Sequence, residues 1–235
     1  MIEGLASSPR RGVTIALIGV DGSGKTTIAR RLVGSLPMPA MYMYMGTNPE
    51  AASHELPTTR FKRAIRHRVA PSSQYQGGPP RRAADANLQP RSLASRLRSA
   101  GHVAGLMSEE IYRQVLVRRA NRRGQTVIVD RHFLFDYFAH DVTDASGNRT
   151  LAQRVHGWLL RRLPRPEIVI LLDAPANVVY ARKREGRLED LVSRRAEYLA
   201  LVDSFPGIRM VDAARSLDEV EADVRSHVTA ALTRP

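Results

Sequence analysis

Residues 19–26 read Gly-Val-Asp-Gly-Ser-Gly-Lys-Thr, a full match to the spacing G-x-x-x-x-G-K-[ST]. The chemistry served by this spacing is the grip of a polyphosphate. Gly19, Gly22 and Gly24, with Ser23 between them, let backbone N–H groups curl around phosphate oxygens with no side chain in the way. Lys25 then reaches the β- and γ-phosphates, and the Thr26 hydroxyl offers a ligand to Mg²⁺. The chain holds 33 Arg and three Lys (Lys25, Lys62, Lys183), so a Lys at the one position that calls for a slim point charge stands out. A glycine-rich turn without a ligand is the plain alternative. Two further residues have chemistry to offer. Asp130 ends the apolar run Thr126-Val127-Ile128-Val129 and could hold Mg²⁺ or its waters, polarise an acceptor, or simply cap a helix. Arg131, next to it, could clamp a phosphate bidentately or form an ordinary surface ion pair.

The elements that must position these residues are legible as periodicities. Val13–Ile18 is a short apolar run of buried-strand type, and Thr27–Val33 carries apolar residues at helical spacing, so the glycine loop lies between a strand and a helix N-terminus aimed at the phosphates. Ala40–Met45, Thr126–Asp130, Glu167–Asp173 and Ile208–Val211 read as four more strands. Helices are expected at 60–69 (short and basic), at about 92–123 with a possible break near Gly101 and Gly105, at about 150–162, from Pro175, over 188–205 and over 217–232. On the long helix, Ile111 and Val115, with Leu116 and Arg119 beside them, are expected to form the buried face. Residues 71–91 carry turn formers without periodicity and read as a mobile loop. Strands alternating with helices predict a five-stranded parallel sheet covered on both faces, an α/β fold, with ligands at the carboxyl ends of the strands. Gly19, Asp130 and Asp173 all fall there. Asp173 reads as structural, a cap for the helix at Pro175.

Length and composition bound the rest. At 235 residues the chain is expected to be a single domain with a substantial core. It has no Cys, which excludes disulfides, thiolate metal sites and cysteine nucleophiles. No apolar run approaches the ~18 residues of a membrane span, and the N-terminus lacks a signal-peptide pattern, so a cytoplasmic location is expected. The net charge of +13 is uneven: Arg60–Arg123 holds 15 Lys and Arg against three acids. Such a block could attract nucleic acid, an anionic membrane or a phosphorylated substrate, or be solvated surface. Its few aromatic residues argue against single-strand binding.

Four segments together resemble the thymidylate kinase family of P-loop phosphotransferases: Gly19–Thr27; Val127-Ile128-Val129-Asp130-Arg131-His132; Leu171–Pro175 leading into Ala181-Arg182-Lys183-Arg184-Glu185-Gly186-Arg187; and Val211–Val220. The resemblance implies a P-loop NTPase fold with a nucleoside-monophosphate-kinase-like lid at about 182–190, and it implies ATP and Mg²⁺ as cofactors. It places Gly19, Asp21, Gly22, Ser23, Gly24, Lys25, Thr26, Thr27 and Arg215 at the nucleotide, with Asp21 near the acceptor sugar. Thr26 and Asp130 are implied as metal ligands. Lys25, Asp130, Arg131, Arg182 and Arg187 are implied as the catalytic set, since the P-loop carries no Arg and the lid must supply that charge. A homodimer through the helix near 103–122 is also implied. The acceptor side departs from the family: Tyr44-Met45-Gly46-Thr47-Asn48-Pro49-Glu50 stands where Glu-Pro-Gly-Gly-Thr is usual. Arg113 is displaced by about a turn, and Phe133–His140 is bulky and apolar. Residues 46–106 therefore read as a divergent, Arg-rich acceptor-side insertion, and Asp136, Tyr137 and His140 as candidates to line the acceptor pocket.

The expected activity is ATP- and Mg²⁺-dependent phosphoryl transfer to a small acceptor, first a nucleoside monophosphate (dTMP to dTDP). The alternative is a kinase of another acceptor, such as a nucleoside, a sugar or a specialised-metabolite precursor. From a different class comes a P-loop NTPase that binds nucleic acid or membrane. The absence of an Asp-Glu pair at the end of the 126–130 strand speaks against that last reading.

Overall fold

Five apolar runs form five parallel strands because none has room for a helix before the next turn residue. They are β1 (Thr14–Ile18), β2 (Ala40–Tyr44), β3 (Thr126–Asp130), β4 (Ile168–Asp173) and β5 (Ile208–Asp212). In the computed structural model, residues 11–46, 93–143, 149–183 and 187–233 are described. The expected basic helix at 60–69, the loop at 71–91 and Arg184 lie outside them. The sheet runs in the order β2-β3-β1-β4-β5. Every residue of β1 and β3 is buried, as a parallel sheet covered on both faces requires, whereas the edge strand β5 is buried only at Ile208 and Val211.

The helices are α1 (Lys25–Ser35), α2 (Leu93–Arg122), α3 (Phe133–Tyr137), α4 (Leu151–Leu160), α5 (Ala176–Lys183), α6 (Leu188–Ser204) and α7 (Leu217–Leu232). α3 continues directly into a π-helical segment, Phe138–Thr143. Helix α1 lies against β1, β2, β3 and α7, so the helix that leaves the glycine loop is fixed to the centre of the sheet. Pro175 caps α5 with its carbonyl, which accepts from Val178 N–H and Val179 N–H at 3.0 and 3.1 Å. Thr150 with Gln153 and Ser216 with Glu219 form reciprocal caps at the starts of α4 and α7.

Two expectations change. Helix α2 runs through Gly101 and Gly105 without a break. Its buried face is also not the apolar one: Ile111 and Val115 are each 44 % exposed and Arg119 is exposed, while Glu110, Arg113, Gln114, Val117, Ala120 and Asn121 point inward. The physical reason is that α2 covers buried polar partners on α4 (His156), on β1 (Thr14) and just beyond β2 and β3 (Gly46, His132), so hydrophobicity alone gives the wrong face. Asp173 is structural as expected but does not cap a helix; it holds Arg195 of α6 through two hydrogen bonds of 2.7 and 2.8 Å.

Candidate active site

The parallel register carries the chemistry to one place. Leu17 of β1 pairs with Asp130 of β3, and Tyr44 of β2 pairs with the same Asp130, so the loop leaving β1 starts beside the end of β3. Gly19 has φ +138° and lies against β4; a Cβ there would stand 2.5 Å from the Leu172 carbonyl oxygen. Gly22 and Gly24 take φ +90° and +91°, a region that side chains disfavour, and this lets the loop turn its amides inward ahead of α1. Lys25 opens α1, is almost wholly buried, and donates from Nζ to the Val20 carbonyl at 2.7 Å. Burial pushes its pKa down, while the charges of Asp130 and Asp136 pull the other way.

Thr26 Oγ1 donates to Asp130 Oδ2 at 2.5 Å, and Tyr42 Oη donates to the same oxygen at 3.2 Å. Asp130 is fully buried, and among the described residues its other oxygen, Oδ1, has no hydrogen-bond partner; Ser23 Oγ is likewise buried without one there. Burial raises the Asp130 pKa against the pull of Lys25, Thr26 and Tyr42. A hydroxyl and an orphaned carboxylate oxygen side by side are hard oxygen donors, and they fit a Mg²⁺ that keeps most of its waters.

The next residue, Arg131, has φ +70° and its amide donates to Leu17 O at 3.0 Å. A left-handed backbone at a non-glycine residue costs on the order of 1 kcal/mol and must be held by its surroundings. Its effect is to turn the buried guanidinium of Arg131 back to the P-loop acid Asp21, with which it forms an ion pair, and to bring Nη1 within 3.8 Å of Asp136 Oδ2. His132 then caps α3: its Nδ1 accepts from the Leu134 amide at 3.3 Å, and burial pulls its pKa down to about 4, so the ring is neutral.

Asp21, Lys25, Thr26, Asp130 and Arg131 are thus gathered in one cluster. Thr27 lies in the first turn of α1, on its exposed side. Arg182 is drawn elsewhere, donating to the carbonyls of Ala213 and Ala214 at 2.8 and 3.2 Å in the turn after β5. Arg187 is exposed and pairs with Glu189 at 3.3 Å. Arg215 pairs with Asp223 on α7. Among the acceptor-side candidates Asp136 joins the cluster, Tyr137 packs edge-on against His156 at 5.0 Å, and His140 stays exposed, 3.7 Å from Glu197.

Sequence reading missed several partners. Tyr42 on Asp130 has no motif behind it. Arg113 is buried, donates to the Gly46 carbonyl just beyond β2 at 2.8 Å and lies over the Phe133 ring, despite its displaced position in the chain. Arg194 and Tyr198, which reach Asp136 from α6, are separated from it by about sixty residues, so no local signal marks them. The last is a charge cluster. His156 Nδ1 lies 2.7 Å from Asp141 Oδ2, and its Nε2 lies 2.9 Å from both oxygens of Glu110. Burial opposes the charge on this ring, but the two carboxylates prevail and hold its pKa at about 9; burial also raises that of Glu110.

No family model matches the chain. It is 27 % identical over 222 residues to a probable thymidylate kinase of Pyrococcus abyssi, covering 91 % of this chain and 94 % of that one. It is 27 % identical over 230 residues to the thymidylate kinase of Xanthomonas euvesicatoria and 29 % identical over the same length to that of Xanthomonas oryzae, in each case covering 94 % of this chain and 85 % of the other. Among solved structures, the thymidylate kinase of Candida albicans has the same fold, with a TM-score of 0.59 over 94 % of this chain and 92 % of that one at 18 % identity. Over nearly its whole length, then, the chain is similar to thymidylate kinases and shares their fold, with the P-loop and Asp-Arg segments meeting at one point.

Proposed function

We propose that the protein transfers the γ-phosphoryl group of ATP, with Mg²⁺, to a nucleoside monophosphate, dTMP first, giving ADP and dTDP. The observation that carries this reading is the buried Arg131 guanidinium, one residue beyond Asp130 and paired with the P-loop acid Asp21. A device for a second phosphate therefore adjoins the device for the triphosphate. The names of the relatives support thymidylate as the acceptor.

In this reading Gly19, Asp21, Gly22, Ser23, Gly24, Lys25, Thr26 and Thr27 cradle the triphosphate, and Arg215 lies toward the base. Thr26 and Asp130 would hold Mg²⁺, which would supply charge neutralisation at the phosphates. Arg131 fixes the acceptor phosphate so that one of its oxygens bonds to the γ-phosphorus as the bond to the β–γ bridging oxygen breaks; ADP leaves with that oxygen. Lys25 stays on the β- and γ-oxygens throughout, and Arg182 and Arg187 add positive charge to the transferring group. Such catalysis is positioning and charge neutralisation, with little covalent work for the protein.

The whole chain acts as one kinase domain, with about 46–106 on the acceptor side and about 182–190 as the lid. A homodimer through α2 is part of the same reading, supported by the outward Ile111 and Val115, and so is a cytoplasmic location. No helix among the described residues is long and apolar enough to cross a membrane.

The test is ADP release from ATP·Mg²⁺ with dTMP against a panel of other nucleotides, nucleosides and sugars. Saturable turnover with dTMP is expected. Silence with every monophosphate but turnover with a neutral acceptor would overturn the reading.

A further inference from the structure

Asp136 is a carboxylate that neither the P-loop nor the Asp-Arg segment explains. It lies on α3, five residues past Arg131, and is almost fully buried. Three groups from two directions hold it. Tyr198 Oη of α6 donates to Oδ1 at 2.6 Å, Arg194 Nη2 of α6 donates to the Asp136 carbonyl at 3.0 Å, and Arg131 Nη1 stands 3.8 Å from Oδ2. Arg194 is itself fixed by Glu197 at 2.7 Å and lies over the Tyr198 ring.

The Arg131 guanidinium is therefore flanked by two carboxylates of different kinds. The Asp21 side chain is 38 % exposed and belongs to the loop that must receive a ligand; the Asp136 side chain is 9 % exposed and is braced by two residues of another helix. A guanidinium presents donors along more than one edge, so an anion arriving from the open side can take the edge that faces Asp21 while Asp136 keeps the other. The opposite arrangement, with Asp136 displaced, would break the Tyr198 bond and strand a buried carboxylate, which is costly.

We infer that Asp136 is a positioning residue that holds the Arg131 guanidinium from behind, aiming its open edge at the phosphate of the acceptor, and that Tyr198 and Arg194 of α6 set Asp136 in turn. This rests on the proposed function, because it assigns a purpose to the same acceptor clamp. The charge of Asp136 also reaches Lys25, where it favours the ammonium form, so the carboxylate supports both phosphate-holding groups. Tyr198, whose hydroxyl burial pushes far above its ordinary pKa, stays a donor at every working pH.

The experiment is steady-state kinetics of the full chain and its Asp136→Asn and Tyr198→Phe variants, varying dTMP at saturating ATP·Mg²⁺ and then ATP at saturating dTMP. Asp136→Asn is expected to raise the acceptor KM by about tenfold, as loss of one charge-assisted contact does, with the ATP KM within about twofold. Tyr198→Phe should follow it with a smaller rise of about threefold. In an Arg131→Ala background the Asp136→Asn change should add no more than about twofold, since nothing remains to be aimed. A merely structural carboxylate would instead add its full effect there. An unchanged acceptor KM in both single variants, equal rises in both KM values, or full additivity with Arg131→Ala would each overturn the inference while leaving the proposed function intact. A wild-type chain that phosphorylates no monophosphate would overturn both. If Asp136→Asn fails to fold, the Tyr198→Phe result decides.

Discussion

Raising the pH through about 9 should weaken the fold, and His156 is the reason. The ring stands between Glu110 of α2 and Asp141 of the π-helical segment, with Tyr137 of α3 packed edge-on against it. His156 is 2 % exposed and Glu110 not at all. An imidazole that ordinarily titrates at 6.5 titrates here at about 9. At about 1.4 kcal/mol per pH unit, that difference corresponds to roughly 3 kcal/mol of preference for the protonated ring in the folded state. Because the folded value is the higher one, this contribution is complete below the ordinary value and is lost as the pH climbs through about 9. Glu110, raised by burial, works against folding once ionised, so the net contribution of the cluster is smaller than that of the ring alone. The assay is urea unfolding of the wild type and of His156→Gln at pH 7 and pH 10. The variant should lose about 3 kcal/mol at pH 7, because removing one partner of a buried charge cluster strands the others. Its stability should then depend on pH over this interval much less than that of the wild type. Parallel pH profiles for the two proteins would refute the reasoning and move the alkaline titration to another group.

Three further outcomes are expected. Lys25→Ala should nearly abolish ADP release while thermal unfolding stays cooperative; unchanged turnover would remove the P-loop assignment. Removing Arg182 and Arg187 together should cut kcat by about a hundredfold with little change in ATP affinity. A loss of affinity alone would assign Arg182 to the Ala213–Ala214 turn that it already holds. Gly157→Ala places a Cβ 1.9 Å from the Asp141 carbonyl oxygen, with backbone and no flexible side chain to yield. It should cost about 3 kcal/mol by chemical denaturation, and a change below about 1 kcal/mol would mean that α4 slides freely past the π-helical segment.

How much of this was legible without coordinates follows a physical line. The five strands, α1, α4, α6 and α7 were readable because each is a local pattern: an apolar run, a helical repeat, a glycine or proline at a boundary. The same holds for Gly19–Thr27 and for Asp130-Arg131, whose neighbours in space are largely neighbours in the chain or are fixed by one parallel register. Segment 133–143 was not readable as α3 running into a π-helical turn. Its apolar residues lack a clean period, and Asp136 and Asp141 are buried only because partners on other helices satisfy them. The inward face of α2 was misread for the same cause. Glu110, Arg113 and Gln114 point inward to His156, Gly46 and His132, while Ile111 and Val115 point outward. Hydrophobicity decides a face only when the other side is free of compensating charge. By itself, then, the sequence determined the sheet, the glycine loop between β1 and α1 and the family it resembles, since those depend on short-range spacing. Tertiary structure alone decided which carboxylates flank Arg131, which arginine faces Asp136 and where Arg182 points, because pairings between distant buried charges depend on packing that no local pattern encodes.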